Sequence, residues 1–196
     1  MPILTKKLLP MAFLISAITA SATVSADEQT GQISFSGLIY SSTCTIDING
    51  SGSGSGSGSD GNVNMGRYAT SEFDRTGSEV GGANGNGKLD ISLINCPPQG
   101  TVKLKLEGKT DSSSDQILAL DDPNGSNTAK NVGIHIYDRD DLSTPFDLNI
   151  TREYKIKDTG DLKSKTLYFV AKYVSTSNNV EAGRADATLN YTLTYQ

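Results

Sequence analysis

The sequence predicts an all-β sandwich, and three observations carry that prediction. Apolar and polar residues alternate with a period of two in one segment after another. Helical spacing of apolar residues is nearly absent. Clusters of Gly, Asn, Asp and Ser separate the alternating segments, as turns between short strands do. Short strands of this kind pack as two face-to-face sheets, because each has one apolar face to bury.

Ahead of the strands, "MPILTKKLLPMAFLISAITASATVSADEQ" reads as a secretory signal peptide over residues 1–26. Lys6 and Lys7 form its positive end. The apolar run Leu8 to Thr19 is too short to span a bilayer. Small residues place cleavage after Ala26, with Ala22 as a second candidate. Loss of Lys6 and Lys7 leaves 15 basic against 22 acidic residues, a balance of −7. That balance argues against nucleic acid as a partner and against anchoring on an anionic membrane surface.

The first alternating segment is "QISFSGLIY", with Ile33, Phe35, Gly37 and Ile39 on one side and Ser34, Ser36 and Leu38 on the other. "CTIDI" follows at the first cysteine. Residues 51–61, beginning "SGSGSGSGS", have the composition of a flexible linker. Too little chain precedes them to form a domain, so they read as a surface loop within one sandwich. "KLDISLINC" alternates Leu89, Ile91 and Leu93. "TVKLKLEG" sets Val102, Leu104 and Leu106 against Lys103, Lys105 and Glu107. "NVGIHIYD" alternates Val132, Ile134 and Ile136. "TLYFVAKYV" is apolar on both faces and reads as a central strand. "ADATLNYTLTYQ" puts Ala187, Leu189, Tyr191, Leu193 and Tyr195 on one face, with Thr188, Asn190, Thr192 and Thr194 opposite.

Cys44 and Cys96 are the only cysteines, and two cysteines in an exported chain read as one disulfide. There is no CxxC, and a single histidine cannot complete a zinc site. "GANGNGK", Gly82 to Lys88, has the Gly and Lys spacing of a phosphate loop, but Leu89 stands where Ser or Thr should hold magnesium, and a strand follows instead of a helix. "DDPNG", Asp121 to Gly125, and "DRDD", Asp138 to Asp141, gather oxygens without calcium-loop spacing and suit ordinary turns. Alternation turns His135 away from Ile134 and Ile136, toward solvent and out of any catalytic pocket. No catalytic constellation, metal site or cofactor site emerges.

Taken in order, "GQISFSGLIYSSTCTIDI", "NVNMG", "KLDISLINC", "LALDD", "AKNVGIHIYDRD", "FVAKYVST" and "AGRADATLNYTLTYQ" resemble the pilin subunits of chaperone–usher fimbriae, closest to the type 1-like major subunits. The resemblance covers the whole chain after the signal, including the placement of Cys44 and Cys96 and the terminal Tyr195–Gln196. Two features depart from it: the Ser/Gly repeat, and "REYKIKDTGDLKSK", a longer and more charged connection.

The resemblance implies an immunoglobulin-like sandwich that lacks its last strand and is completed by a donor strand from another subunit. It implies that residues 27–41 are the donor extension, presenting Ile33, Phe35, Gly37 and Ile39, and that residues 42–196 are the pilin domain. The acceptor groove then lies along Leu189, Tyr191, Leu193, Tyr195 and Gln196. The implied partners are neighbouring subunits of the same chain, a periplasmic chaperone, an outer-membrane usher and a tip adhesin, with neither nucleic acid nor a small-molecule substrate. The implied role is a structural subunit of a cell-surface fimbria that supports adhesion, not an enzyme. A minor or tip pilin, or a single-domain adhesin of the same system, is the alternative.

Overall fold

A computed structural model describes residues 32, 34–36, 44–50, 60–96, 100–156 and 164–196. The signal segment, Ile33, Gly37, Ile39, the Ser/Gly repeat at 51–59 and residues 157–163 of the charged connection lie outside the described residues. The chain divides into residues 1–38 and residues 39–196. In the first unit, Gln32 and Ser34 to Ser36 carry no strand and are exposed, Phe35 at 94%. The strands of the described residues all lie in the second unit.

The strands are β1 (Thr45–Ile48), β2 (Glu79–Val80), β3 (Lys88–Ile94), β4 (Gly100–Glu107), β5 (Thr110–Asp111), β6 (Ser114–Leu118), β7 (Val132–Asp138), β8 (Asp141–Pro145), β9 (Thr151–Ile156), β10 (Lys165–Ser175) and β11 (Asn190–Tyr195). A 3₁₀ turn covers Thr70–Glu72. They form two sheets. The larger runs β1-β3-β10-β7-β6-β5, with β2 added beside β10 and β8 beside β7. The smaller runs β11-β4-β9. All ladders are antiparallel.

Alternation decides which side chains enter the core. Leu89, Ile91 and Leu93 from β3 and Ile134 and Ile136 from β7 face Val102, Leu104 and Leu106 from β4 across the interior. Strand β10 pairs with β3 on one side and with β7 on the other, which explains its apolar character on both faces. Its Leu167, Phe169 and Ala171 join this core, while Val170 and Val174, on the opposite face, are also buried. Phe169 meets Phe146 edge to face at 5.9 Å.

Two departures from the sequence expectation have physical causes. The charged connection begins with a strand, β9, whose Arg152 faces inward and lays its guanidinium 4.0 Å over the ring of Phe146. A stacked arginine hides the period-two pattern. Strand β11 starts at Asn190, later than the alternation, because the residues before it bond to another loop: the Thr188 amide donates to Asp121 Oδ1 at 2.7 Å, and the Asp121 amide donates to the Asp186 carbonyl at 3.0 Å.

Cys44 and Cys96 form the expected disulfide, joining the start of β1 to the end of β3. The chain turns after β1 at Asn49, which adopts a left-handed φ of 51°. Its side-chain amide donates to the carbonyls of Asn62 at 2.9 Å and Lys88 at 3.0 Å, and its Oδ1 accepts from the Asp90 amide at 2.7 Å. The return segment from Asp60 is thereby fastened along β3.

Candidate functional site

The inner side chains of the small sheet differ sharply from strand to strand. On β4, Val102, Leu104 and Leu106 are at most 1% exposed. Next to them on β11, Tyr191, Leu193 and Tyr195 are only half-buried, although the same period puts them on the same face. Burial is lost because β11 is the end strand of its sheet and nothing among the described residues pairs along its outer side.

The register identifies the backbone groups on that side. The Gln196 amide donates to the Thr101 carbonyl at 2.9 Å, and the Thr101 amide donates to the Gln196 carbonyl at 2.8 Å, so these two form a hydrogen-bonded pair. Antiparallel pairs alternate, which gives Thr194–Lys103 and Thr192–Lys105 the same character. The amides and carbonyls of Leu193 and Tyr195 therefore point away from β4, along the outer edge. Gln196 spends its backbone on β4 and belongs to the inner ladder.

Beside this edge lies a groove of about 620 Å³. One wall is the segment Asp60 to Gly66 and the other is Ala185 to Tyr191, with Leu89, Ile134, Ile136 and Ala171 among the residues beneath. Each wall is held separately. The Gly87 amide donates to the Asn64 carbonyl at 2.7 Å, while the Tyr173 hydroxyl donates to the Ala185 carbonyl at 2.9 Å. Among the described residues no β-ladder crosses between the walls. Gly61 lies so close to Ile48 that a Cβ there would overlap its side chain.

The near wall was the part least visible in the sequence. "NVNMG" resembles a short strand, but no strand is assigned there. Val63 and Met65 nevertheless pack against the core, and their spacing was the available signal. Leu189 and Tyr191 on the far wall, and Leu193 and Tyr195 beyond it along β11, all pack against that core from one face of the chain, as the alternation predicts. The Tyr195 hydroxyl is buried and has no hydrogen-bond partner among the described residues. Burial, followed by the neighbouring Tyr191, pushes its phenol above the ordinary range.

The other candidates resolve into structural roles. In "DDPNG", the ammonium of Lys130 donates to the carbonyls of Pro123 and Gly125, each at 2.7 Å, where a cation would have to sit. In "DRDD", Asp138 Oδ1 accepts from the Asp140 amide and Asp141 Oδ1 from Ser143, which is turn chemistry. Among the described residues no group of His, Cys, Asp and Glu is placed to hold a metal. "GANGNGK" closes a turn through the Asn86 amide and the Ala83 carbonyl and leads straight into β3.

His135 does face out of the core, but it is not in solvent. Its Nδ1 lies 2.7 Å from Glu79 Oε1, its side chain is 16% exposed, and the Tyr137 hydroxyl donates to the same carboxylate oxygen. Lys172 donates to Glu79 Oε2 at 3.1 Å. Burial raises the Glu79 carboxyl, but the bonds from His135, Tyr137 and Lys172 outweigh it, leaving the group below the usual range. Burial first, and then the bond to Glu79, push the Tyr137 phenol well above its ordinary range. The cluster ties β2 across β10 to β7.

Comparison with known proteins adds three findings. The model of the family described as Fimbrial protein matches residues 33–196. A type-1 fimbrial protein subunit of Serratia marcescens is 31% identical over 97% of this chain and 99% of its own length. The P pilus rod subunit superposes with a TM-score of 0.54 at 21% identity, covering 79% of this chain and 99% of the other, and a subunit in a chaperone–usher pilus does so with 0.55 at 20% identity, covering 88% and 99%. These superpositions establish the immunoglobulin-like fold.

Proposed function

This chain belongs to the fimbrial protein family, and we propose that it polymerises by donor-strand exchange as a shaft subunit of a surface fimbria. It is a structural protein and not an enzyme. The observation that carries the proposal is the outer side of β11: among the described residues no strand pairs along it, and its half-buried apolar side chains lie next to a groove floored by apolar residues. Such an edge takes up a free strand, and adding one is an established mode of recognition.

Residues 27–41 have the matching chemistry. Ile33, Phe35 and Ile39 share one face, and burying each in the groove contributes about 2 kcal/mol. Gly37 suits a position where the groove admits no side chain. The backbone of the same segment pairs with the outward amides and carbonyls of β11. A chain that carries both a donor and an acceptor joins head to tail through a heterologous contact that does not close, and a fibre results. This favours the shaft over the tip, since a tip subunit needs only one of the two.

Before assembly the same edge requires cover. In this reading a periplasmic chaperone lends a strand, an outer-membrane usher exchanges it for the extension of the next subunit, and the fibre is displayed outside the cell. Among the described residues no helix is long and apolar enough to cross a membrane.

The test is unfolding of the oxidised domain lacking residues 27–41, with and without a peptide of those residues. A large, slowly reversed gain in stability with peptide is expected. A domain already stable and indifferent to peptide would mean that the sandwich is complete and would turn the search toward a binding function.

A further inference from the structure

We propose that Tyr173 and Tyr68 close one end of the groove and so set the register in which the incoming strand seats. The proposal rests on the donor-strand reading above. A slip of one residue turns the wrong face of a strand inward, but a slip of two restores the face. Ile33, Phe35 and Ile39 repeat with that same period. Alternation alone therefore admits several seatings, and the groove has to supply a fixed end.

The floor supplies it. Ala171 and Tyr173 are successive inward positions of β10, and both line the groove. The floor thus steps from a methyl group to a phenol ring. Two contacts hold that ring in place. Its hydroxyl donates to the Ala185 carbonyl of the far wall at 2.9 Å, and the ring meets that of Tyr68 edge to face at 6.1 Å. Tyr68 stands two residues past Gly66, where the near wall ends. Its own hydroxyl accepts from Asn86 Nδ2 at 3.4 Å, and a Cβ on Gly66 would press on the same oxygen. Side chains therefore link one wall to the other at a place where no ladder of the described residues does. Past this point the interior is occupied. Tyr173 also packs against a second cluster, Leu120, Ala129 and Val132, which Phe73 and Val180 join, and none of these five lines the groove. A side chain driven past Tyr173 would overpack that cluster.

The probe is a peptide of residues 27–41 with photoleucine in place of Ile39. It is added in excess to the full exported chain, oxidised and refolded at low concentration. After illumination, mass spectrometry locates the cross-linked residues. The parent is expected to give one cluster of cross-links. Tyr173→Val keeps a strand-forming side chain but removes the step. It is expected to give a second cluster displaced by two strand positions, roughly 7 Å. Tyr173→Phe keeps the ring and is expected to match the parent. Lost packing alone would lower the yield of cross-links without moving them. If Tyr173→Val does not fold, Tyr68→Ala carries the test with the same expected displacement. Several clusters in the parent, or a single unmoved cluster in the folded variant, would overturn the proposal and leave donor-strand exchange intact. A parent chain that takes up no peptide would overturn both.

Discussion

Gly87 shows how much a single position can carry. It has a left-handed φ of 70°, and a Cβ there would overlap the Ala171 carbonyl oxygen. Its amide holds Asn64 on the near wall of the groove, while its carbonyl accepts from the Ala171 amide of β10. Gly87→Ala is therefore expected to cost at least about 2 kcal/mol, read from the urea midpoint. Glu79 is a second case. Its carboxyl is held below the usual range in the folded chain, so its contribution is present above the unfolded value and is lost as pH falls through the folded one. Glu79→Gln should lower stability by about 1 kcal/mol near neutral pH, with partial exposure limiting the effect. The two proteins should converge in acid, which denaturation between pH 3 and pH 7 would reveal as a shallower acid limb for the variant, on the order of that same energy. The sequence indicated that His135 turns away from the core, but not that Glu79, 56 residues earlier, seals it. Pattern registers faces, and it is silent about partners brought together by strand order.

At the level of elements, alternation was a good guide wherever one face of a strand is buried and the other is wet. β3 and β4 follow it closely, β7 only in part because Gly133 and Tyr137 on its outer face are buried too, and β10 declared itself central by being apolar on both faces. It failed for pieces held by other forces. β2 has only two residues and is fixed by Ser175, whose hydroxyl donates to the Arg75 carbonyl at 2.6 Å and accepts from the Ser78 amide at 3.0 Å. β9 conceals its inward face behind Arg152. The proposed donor segment allows a direct trial of the pairing. Gly37→Leu is expected to slow fibre assembly at least about tenfold, through overpacking of the groove, while leaving the chaperone-bound subunit folded. A fibre yield equal to that of the parent would count against the proposed pairing.

Across the whole molecule, two sheets enclose one main core that is fully sealed at β4 and only partly sealed at β11. The sequence made β11 legible through its own pattern, but the groove beside it is a property of two distant segments and could be expected only through family resemblance. The disulfide braces the same architecture where β1 meets β3. Its separation of 52 residues implies a contribution of roughly 4 kcal/mol in the chain-entropy model. Reduction, or Cys44→Ala with Cys96→Ala, should lower the unfolding free energy by about that amount. The effect should be seen in the subunit before assembly as a lower urea midpoint.

Asn49 fastens the chain to Asn62, Lys88 and Asp90, so both ends of the intervening segment are moored whatever lies between them. Length there is nearly free: doubling it should cost only about 0.6 kcal/mol, and Asn49→Ala should make the cost visibly larger in thermal unfolding. The sequence carries a Ser/Gly repeat in that position, and an engineer could place an epitope or an enzyme tag there. In a polymer of such subunits, each copy would carry its passenger at a fixed address, and the fibre would become a display scaffold whose payload is independent of the joints that hold it together.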